Sequence, residues 1–210
     1  MFKFKSFPVI FCWCSFQFFT PAVHAQNIDI NILKSINPQN PKTGFWSAVS
    51  DYHIAVAGAA TFGTLAYAFI KHDKNLQYKS YETLIAAGIN VVATDALKII
   101  FNRTRPADKY PNDIYVLTIL HGHSFPSGHT SLAFAAATSL MLNCKKWYIV
   151  VPGYMWAGCV GYSRMYLGKH YPSDVLAGAV VGAGSALASH WVSKKLFQPK
   201  QVNEPKQAGF

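Results

Sequence analysis

His129 stands at the start of an apolar stretch, directly after the turn-forming sequence Pro126-Ser127-Gly128. This order predicts a helix that begins here with Ser127 as its N-cap. The first backbone N–H groups of a helix are unpaired and carry the positive end of its dipole, so they bind anions. We therefore expect Ser127 and Gly128 to bind an anion, with the His129 imidazole directed at it.

A second histidine is spaced to meet a carboxylate. His170 and Asp174 lie four residues apart, where Pro172 predicts the first turn of another helix. A carboxylate on one imidazole nitrogen fixes the tautomer and makes the other nitrogen a better nucleophile. The alternative interpretation is a helix cap with an unrelated histidine nearby. The same cluster contains Arg164, six residues before His170.

Cations form the remaining cluster. Lys98 and Arg105 are two helical turns apart, so they would share one helix face at a distance of about 10 Å. Pro106 disfavours helix at Arg105, so we expect the chain to leave the helix there. Asn90 and Thr94 extend this face toward the N-terminus as a polar stripe. The alternative is a set of cations at a membrane edge.

Metal binding is another possible use of the histidines. His121, His123 and His129 are close in sequence, and a His-x-His pair can bind zinc, but no nearby carboxylate or cysteine completes the coordination. The four cysteines lie in or beside apolar stretches, which indicates no disulfide framework. We predict that neither a metal ion nor a cofactor takes part in the chemistry.

The elements that must position these clusters are apolar. Of the 210 residues, 51% are hydrophobic and 13% are charged, which argues against a cytosolic domain, a disordered chain or a coiled coil. Five segments of about 15–20 residues would each cross most of a hydrocarbon layer as a helix. Gly178 and Gly182 have the GxxxG spacing of close helix contact. The segments span residues 54–70, 81–101, 130–144, 147–162 and 175–192.

This pattern predicts an all-α helical bundle, integral to the membrane with five or six spans. The alternative is a soluble helical bundle in the periplasm. Residues 1–25 are typical of a signal peptide or a first transmembrane helix. We expect residues 26–52 to form a periplasmic segment, residues 53–193 the helical domain that carries the site, and residues 194–210 a basic cytoplasmic tail.

The distribution of positive charge predicts orientation and partner. The net charge of +10 favours an acidic partner, namely nucleic acid, an anionic membrane surface or a phosphorylated substrate. If residues 26–52 lie outside, most lysines at loop edges fall inside, as the positive-inside rule requires. Cations predicted outside are concentrated in residues 98–109 and 164–169. All three polar clusters then lie at one outer face.

The three clusters resemble the signature of the phosphatidic acid phosphatase type 2 family, which is related to bacterial class A acid phosphatases and vanadium haloperoxidases. Lys-x6-Arg-Pro matches Lys98 to Pro106, Pro-Ser-Gly-His matches Pro126 to His129, and Ser-Arg-x5-His-x3-Asp matches Ser163 to Asp174. Every signature position is present. The N-terminal region departs from the family, because a signal-like segment replaces a clear first span.

The resemblance implies a phosphatase that works without a metal ion or cofactor. His170 would attack phosphorus and form a phosphohistidine, with Asp174 orienting it. His129 would protonate the leaving oxygen and then activate water. The phosphoryl oxygens would be bound by Lys98, Arg105, Ser127, Gly128 and Arg164.

An outward-facing site at the edge of a bacterial inner membrane suits a phosphorylated lipid. The candidate substrates are undecaprenyl pyrophosphate, phosphatidylglycerophosphate, phosphatidate and lipid A phosphates; nucleic acid is not expected as a partner. Residues 107–120 would form a lid or a groove for the lipid tail. Two alternatives are a soluble periplasmic acid phosphatase of broad specificity and a catalytically silent phospholipid-binding or scaffold protein.

Overall fold

Residues 21–41 and 44–197, which the computed structural model describes, form eight helices and no strand. The predicted all-α architecture is confirmed. Residues 1–20 of the predicted targeting segment and residues 198–210 of the predicted tail lie outside the described residues. The helices are α1 (Pro21–Ile36), α2 (Phe45–Asp51), α3 (His53–Ile70), α4 (Lys74–Phe101), α5 (Pro106–Lys109), α6 (Gly128–Cys144), α7 (Trp147–Tyr166) and α8 (Pro172–Phe197).

The five predicted apolar segments lie within α3, α4, α6, α7 and α8. α4 begins before its apolar segment because the Asp73 side chain caps it, accepting the Leu76 N–H at 3.0 Å. It ends at Phe101, and Asn102 follows in the left-handed conformation with φ 42°. Lys98 therefore lies in the last turn of α4 and Arg105 at the N-cap of α5. The prediction that these two residues share one helix face is wrong.

α6 packs against α4, α7 and α8 at the centre of the bundle. Two glycines allow α8 to approach it closely. A Cβ atom added at Gly178 would lie 2.6 Å from the carbonyl oxygen of Ser127, and one added at Gly182 would overlap the carbonyl oxygen of Ser131. The GxxxG spacing thus corresponds to a real contact between these two helices.

The polar stripe of α4 faces α6. Thr94 Oγ1 lies 2.9 Å from Ser131 Oγ, and the Ser131 hydroxyl donates to Asn90 Oδ1. Buried polar groups require such partners. These bonds fix the C-terminal half of α4 against the first turns of α6, so that Lys98 is delivered to the end of the bundle where α6 begins.

Within the described chain, three segments are long and apolar enough to cross a membrane: His53–Ile70, Lys74–Lys109 and Pro172–Lys195. They expose large apolar side chains on their outer faces, as contact with lipid requires. The number of spans, five or six, remains a prediction. Among the exposed side chains are Phe62, Ile70, Val92, Ile99, Leu176 and Val180.

The segment predicted to precede the helical domain contains α1 and α2. α1 runs through the predicted cleavage point after Ala25. It packs Ile30 and Leu33 against Ile114 and Tyr171, so it is part of a buried apolar cluster. The boundaries expected at residues 25, 52 and 193 stay predictions, although the helices α1 and α8 continue across the first and the last of them.

The α6–α8 contact yields a stability prediction. Replacing Gly182 by Ala would force a methyl group onto the backbone of α6, so we expect the free energy of unfolding to fall by about 1–3 kcal/mol. Gly184 on the same helix has open space around the added methyl, and Gly184→Ala is the matched control. Thermal unfolding in detergent measures both. Equal midpoints for the two variants would contradict a close contact at Gly182.

Candidate active site

The structure brings the three polar clusters together at one end of the bundle, where α4 ends and α6 and α8 begin. The backbone N–H of Ser127 donates to the carbonyl oxygen of Asp174 at 3.0 Å. The guanidinium of Arg105 donates through Nη1 to the carbonyl oxygen of Lys169 at 3.0 Å. Both bonds join residues far apart in sequence, so the site is assembled from the ends of several helices.

His170 and Asp174 meet as their spacing predicts. Nδ1 of His170 lies 3.5 Å from Oδ2 of Asp174, and the two side chains are buried, with 2% and 0% exposure. This approach is close for an ion pair but is not a well-formed hydrogen bond, and Nδ1 has no hydrogen-bond partner among the described residues. Oδ2 of Asp174 also accepts the backbone N–H of Tyr171 at 3.0 Å, which fixes the orientation of the carboxylate.

The other nitrogen of His170 faces a cation. Its Nε2 lies 3.4 Å from Nη1 of Arg105. A guanidinium can only donate, so Nε2 must offer its lone pair, and the ring proton then sits on Nδ1 toward Asp174. Arg105 is itself held by the carbonyl oxygen of Gly122, which accepts from Nε at 3.2 Å. The arrangement directs an imidazole lone pair at an anion-binding group.

Arg164 carries a charge that is almost completely enclosed. Its side chain is 1% exposed. Nη1 donates to the hydroxyl of Ser50 in α2, whereas Nε has no hydrogen-bond partner among the described residues. A buried cation with an unused donor is costly unless an anion completes it. Arg164 is therefore suited to bind a negatively charged ligand.

Ser127 occupies the predicted N-cap position of α6, but its side chain makes no cap bond to the backbone. The hydroxyl instead lies 2.9 Å from Thr130 Oγ1. The N-cap position of Ser127 is thus as predicted, and the backbone N–H groups of the first turn have no side-chain cap. Lys98 approaches the same turn, since its Nζ lies 4.0 Å from where a Cβ of Gly128 would be. These groups together offer donors and positive charge to one anion.

His129 stacks on a histidine that sequence reasoning missed. The rings of His129 and His53 are 3.7 Å apart between centroids, with an interplanar angle of 22°. Nδ1 of His53 lies 2.7 Å from the carbonyl oxygen of Ser50, the residue whose hydroxyl binds Arg164. His53 and Ser50 therefore support two of the predicted site residues, and no motif in the sequence marks either one.

Arg103 lies in the cation-rich segment 98–109 but was not among the predicted site residues. Its Nη1 donates to Oδ1 of Asp174 at 2.6 Å, and its Nη2 donates to Oδ2 of Asp29 at 2.7 Å. The guanidinium also lies over the ring of Tyr171, 4.0 Å from its centroid. Arg103 stands two residues before the predicted Arg105, and this proximity was a signal for it. Nothing in the sequence near Asp29 indicated a role.

The described residues contain no group of three or more His, Cys, Asp or Glu side chains arranged to hold a metal ion. His121 is exposed and His123 is partly exposed. The charges that face the site are mainly those of arginine and lysine, which suits an anionic ligand.

Burial governs the protonation of His170. Loss of solvation, together with the nearby charge of Arg164, lowers the pKa of its imidazole to about 4, against the opposite influence of Asp174. Burial and the charge of Arg164 also lower the pKa of Lys169. His170 is therefore neutral near pH 7, in the form that has a free lone pair.

Comparisons with known proteins show the family to which the chain belongs. A family model described as the PAP2 superfamily matches residues 79–198. The bacitracin transport permease protein BcrC of Bacillus licheniformis is 30% identical over 166 residues, which are 78% of this chain and 76% of that protein. The lipid A 4′-phosphatase of Bacteroides thetaiotaomicron is 27% identical over 192 residues, covering 85% and 83% of the two chains.

A solved structure has a similar fold. The crystal structure of Aquifex aeolicus LpxE matches with a TM-score of 0.64 and 29% identity, over 78% of this chain and 95% of that one. Fold and site together define a helical phosphatase of the membrane type. The chain belongs to the PAP2 superfamily. The predicted family and the predicted enzyme class are confirmed.

The lowered pKa of His170 predicts a loss of stability in acid. The unfolded imidazole titrates near 6.5 and the folded one at about 4, so between these values only the unfolded state gains the proton. We expect the free energy of unfolding to fall by up to about 3 kcal/mol from pH 6.5 to pH 4. Thermal unfolding in detergent measures this, and His170→Gln should show a smaller decrease. The same pH dependence in both proteins would assign it to another group.

Proposed function

We propose that this protein hydrolyses the phosphoric ester or diphosphate bond of a membrane lipid phosphate through a phosphohistidine at His170. One observation carries the proposal. The buried imidazole directs Nε2 at Arg105, 3.4 Å away, while Nδ1 faces the Asp174 carboxylate at 3.5 Å. A neutral nucleophile beside a phosphate-binding cation is what phosphoryl transfer to nitrogen requires.

The reaction proceeds in two displacements. In the first, the Nε2 lone pair of His170 forms a bond to phosphorus, and the bond from phosphorus to the leaving oxygen breaks. His129, whose protonated form is stabilised by the negative charge of the bound phosphate, gives its proton to that oxygen, which leaves as a lipid alcohol or a lipid phosphate. In the second, neutral His129 takes a proton from water, the hydroxyl oxygen bonds to phosphorus, and the N–P bond breaks to release phosphate. Asp174 stabilises the charge that His170 acquires in the first step.

Cations of the protein hold the phosphoryl oxygens. Lys98, Arg105 and Arg164 neutralise their charge, while the Ser127 hydroxyl and the Gly128 N–H donate hydrogen bonds. Each such donor is typically worth about 10²–10³ in rate. Because these groups neutralise charge that metal ions neutralise in other phosphoryl transfers, the proposed mechanism uses none.

The substrate is a lipid whose phosphate lies at the membrane edge. Lipid A 4′-phosphatase is similar over most of both chains, and the site lies at one end of helices able to cross a membrane. Undecaprenyl pyrophosphate, phosphatidylglycerophosphate, phosphatidate and lipid A phosphates all carry the required group. The distribution of lysines supports a site that faces the periplasm from the inner membrane, with residues 194–210 in the cytoplasm.

The loop after α5 is the proposed contact for the lipid tail. Leu117 and Ile119 expose 45% and 67% of their surface, and Ile119 lines a cleft together with Arg105 and Lys169. The loop is held in place at its other side by Asn37, whose amide donates to the carbonyl oxygen of Tyr115 at 2.9 Å and accepts that residue's N–H at 2.8 Å. Apolar side chains thus border a cleft that contains site cations.

Phosphate release from a panel of the four lipids in detergent tests the function. Wild type should release phosphate from at least one of them, and His170→Ala should abolish turnover while leaving the thermal unfolding midpoint in detergent within a few degrees. A phosphorylated intermediate should be trapped by acid quenching of wild type and be missing in His170→Ala. Turnover that survives this substitution would refute the phosphohistidine mechanism.

Carbonate extraction separates the soluble alternative from the membrane enzyme. Activity that stays with washed membranes supports the proposal, whereas activity released into the supernatant supports a soluble periplasmic acid phosphatase. The three membrane-compatible segments favour the first outcome.

Replacing Leu117 and Ile119 by Ser should weaken hydrolysis of the lipid substrate selectively. Loss of one buried apolar side chain from the contact lowers kcat/KM by roughly 10-fold or more. Hydrolysis of p-nitrophenyl phosphate, which has no tail, is the internal control and should not change. Equal losses with both substrates would count against a tail contact at this loop.

A further inference from the structure

α1 reaches the candidate active site through one buried carboxylate. Asp29 is 7% exposed, and both of its carboxylate oxygens are engaged. Oδ1 accepts the backbone N–H of Ser173 at 2.9 Å. Oδ2 accepts from Nη2 of Arg103 at 2.7 Å and from the Ser173 hydroxyl at 2.5 Å. These bonds join the segment before the predicted helical domain to the first turn of α8.

Arg103 connects this carboxylate to the one beside His170. One guanidinium nitrogen binds Asp29 and the other binds Asp174, while the face of the group lies over Tyr171. A planar guanidinium that is held at Nη1, at Nη2 and at its face has a single orientation. Because Asp174 is completely enclosed, its own position depends on that orientation.

The charge of Arg103 also couples Asp29 to Asp174. Arg103 supplies one positive charge to two carboxylates, so without Asp29 the whole charge would act on Asp174. The carboxylate would then be less able to stabilise the charge that His170 acquires when it bonds to phosphorus. Removing Asp29 would therefore affect the chemical step, although Arg103 and Asp174 both lie between Asp29 and His170 in this chain of contacts.

We infer that Asp29 is a positioning residue for catalysis, acting through Arg103 and Ser173 on Asp174, and that α1 is consequently part of the catalytic unit. The inference rests on the proposed roles of His170 and Asp174. It extends the functional unit beyond the predicted domain of residues 53–193, which would lack this carboxylate.

The experiment uses the full chain with Asp29→Asn, which keeps the size of the side chain and removes its charge. We expect kcat for p-nitrophenyl phosphate to fall roughly 10- to 100-fold, with KM changed less than about threefold, because a misplaced catalytic group affects the chemical step. Lys34→Gln is the matched control: Lys34 lies on the same helix and pairs with Asp113 at 2.8 Å in an exposed ion pair. It should keep the wild-type kcat.

A double variant tests the path. If Asp29 acts through Arg103, then Asp29→Asn combined with Arg103→Lys should be no slower than Arg103→Lys alone, since both disturb the same contact. Losses that multiply would overturn this path. Should Asp29→Asn give too little folded protein, Arg103→Lys carries the test, because it keeps the charge and loses the fork; an unchanged kcat there would overturn the inference.

His170→Ala, assayed in parallel, separates this inference from the proposed function. Full kcat in folded Asp29→Asn together with an inactive His170→Ala would reject the positioning role alone. Activity in His170→Ala would reject the proposed mechanism and, with it, the role of Asp29. A lower unfolding midpoint with unchanged kcat would make Asp29 a structural residue only.

Discussion

A completely buried carboxylate, that of Asp174, sets the arrangement of this end of the molecule. A carboxylate removed from water must be paired on every side, and its partners come from separate parts of the chain. Arg103 follows α4, and the Tyr171 N–H belongs to the loop before α8. The backbone carbonyl of Asp174 itself accepts the N–H of Ser127 at the start of α6. Meeting these requirements brings the three helix ends together, and the site is formed where they meet.

Helix packing in the apolar part of the bundle makes that meeting possible. Gly178 and Gly182 allow the backbone of α8 to touch that of α6 one and two turns below the site. A side chain at either position would separate the helices and lengthen the bond between Ser127 and Asp174. The stability of the apolar interior and the geometry of the polar end therefore both depend on these two small residues.

The helices and the three clusters could be predicted because each follows from a pattern within a short stretch of sequence. Apolar stretches of the right length gave α3, α4, α6, α7 and α8, and four-residue spacing gave the pair of His170 and Asp174. Asp29, Ser50 and His53 could not be found this way, because each acts on a residue far along the chain and none lies in a motif. The predicted segment 81–101 ends with α4 at Phe101, but Arg105 was wrongly placed on the same helix face as Lys98, because no proline or glycine marks the left-handed turn at Asn102.

The proposed mechanism requires that the imidazole of His170 stay neutral among cations and yet accept positive charge during the reaction. Burial achieves the first, since it lowers the pKa of His170 to about 4, while Arg105 holds the lone pair on Nε2 and so leaves the ring proton on the side of Asp174. In the proposed mechanism, a phosphate that binds Arg105 replaces Nε2 as the partner of this guanidinium, so the lone pair of Nε2 becomes free when phosphorus is within reach. We expect the same burial to destabilise the fold in acid, so one enclosed ring would set both the basicity of the proposed nucleophile and part of the protein's pH-dependent stability.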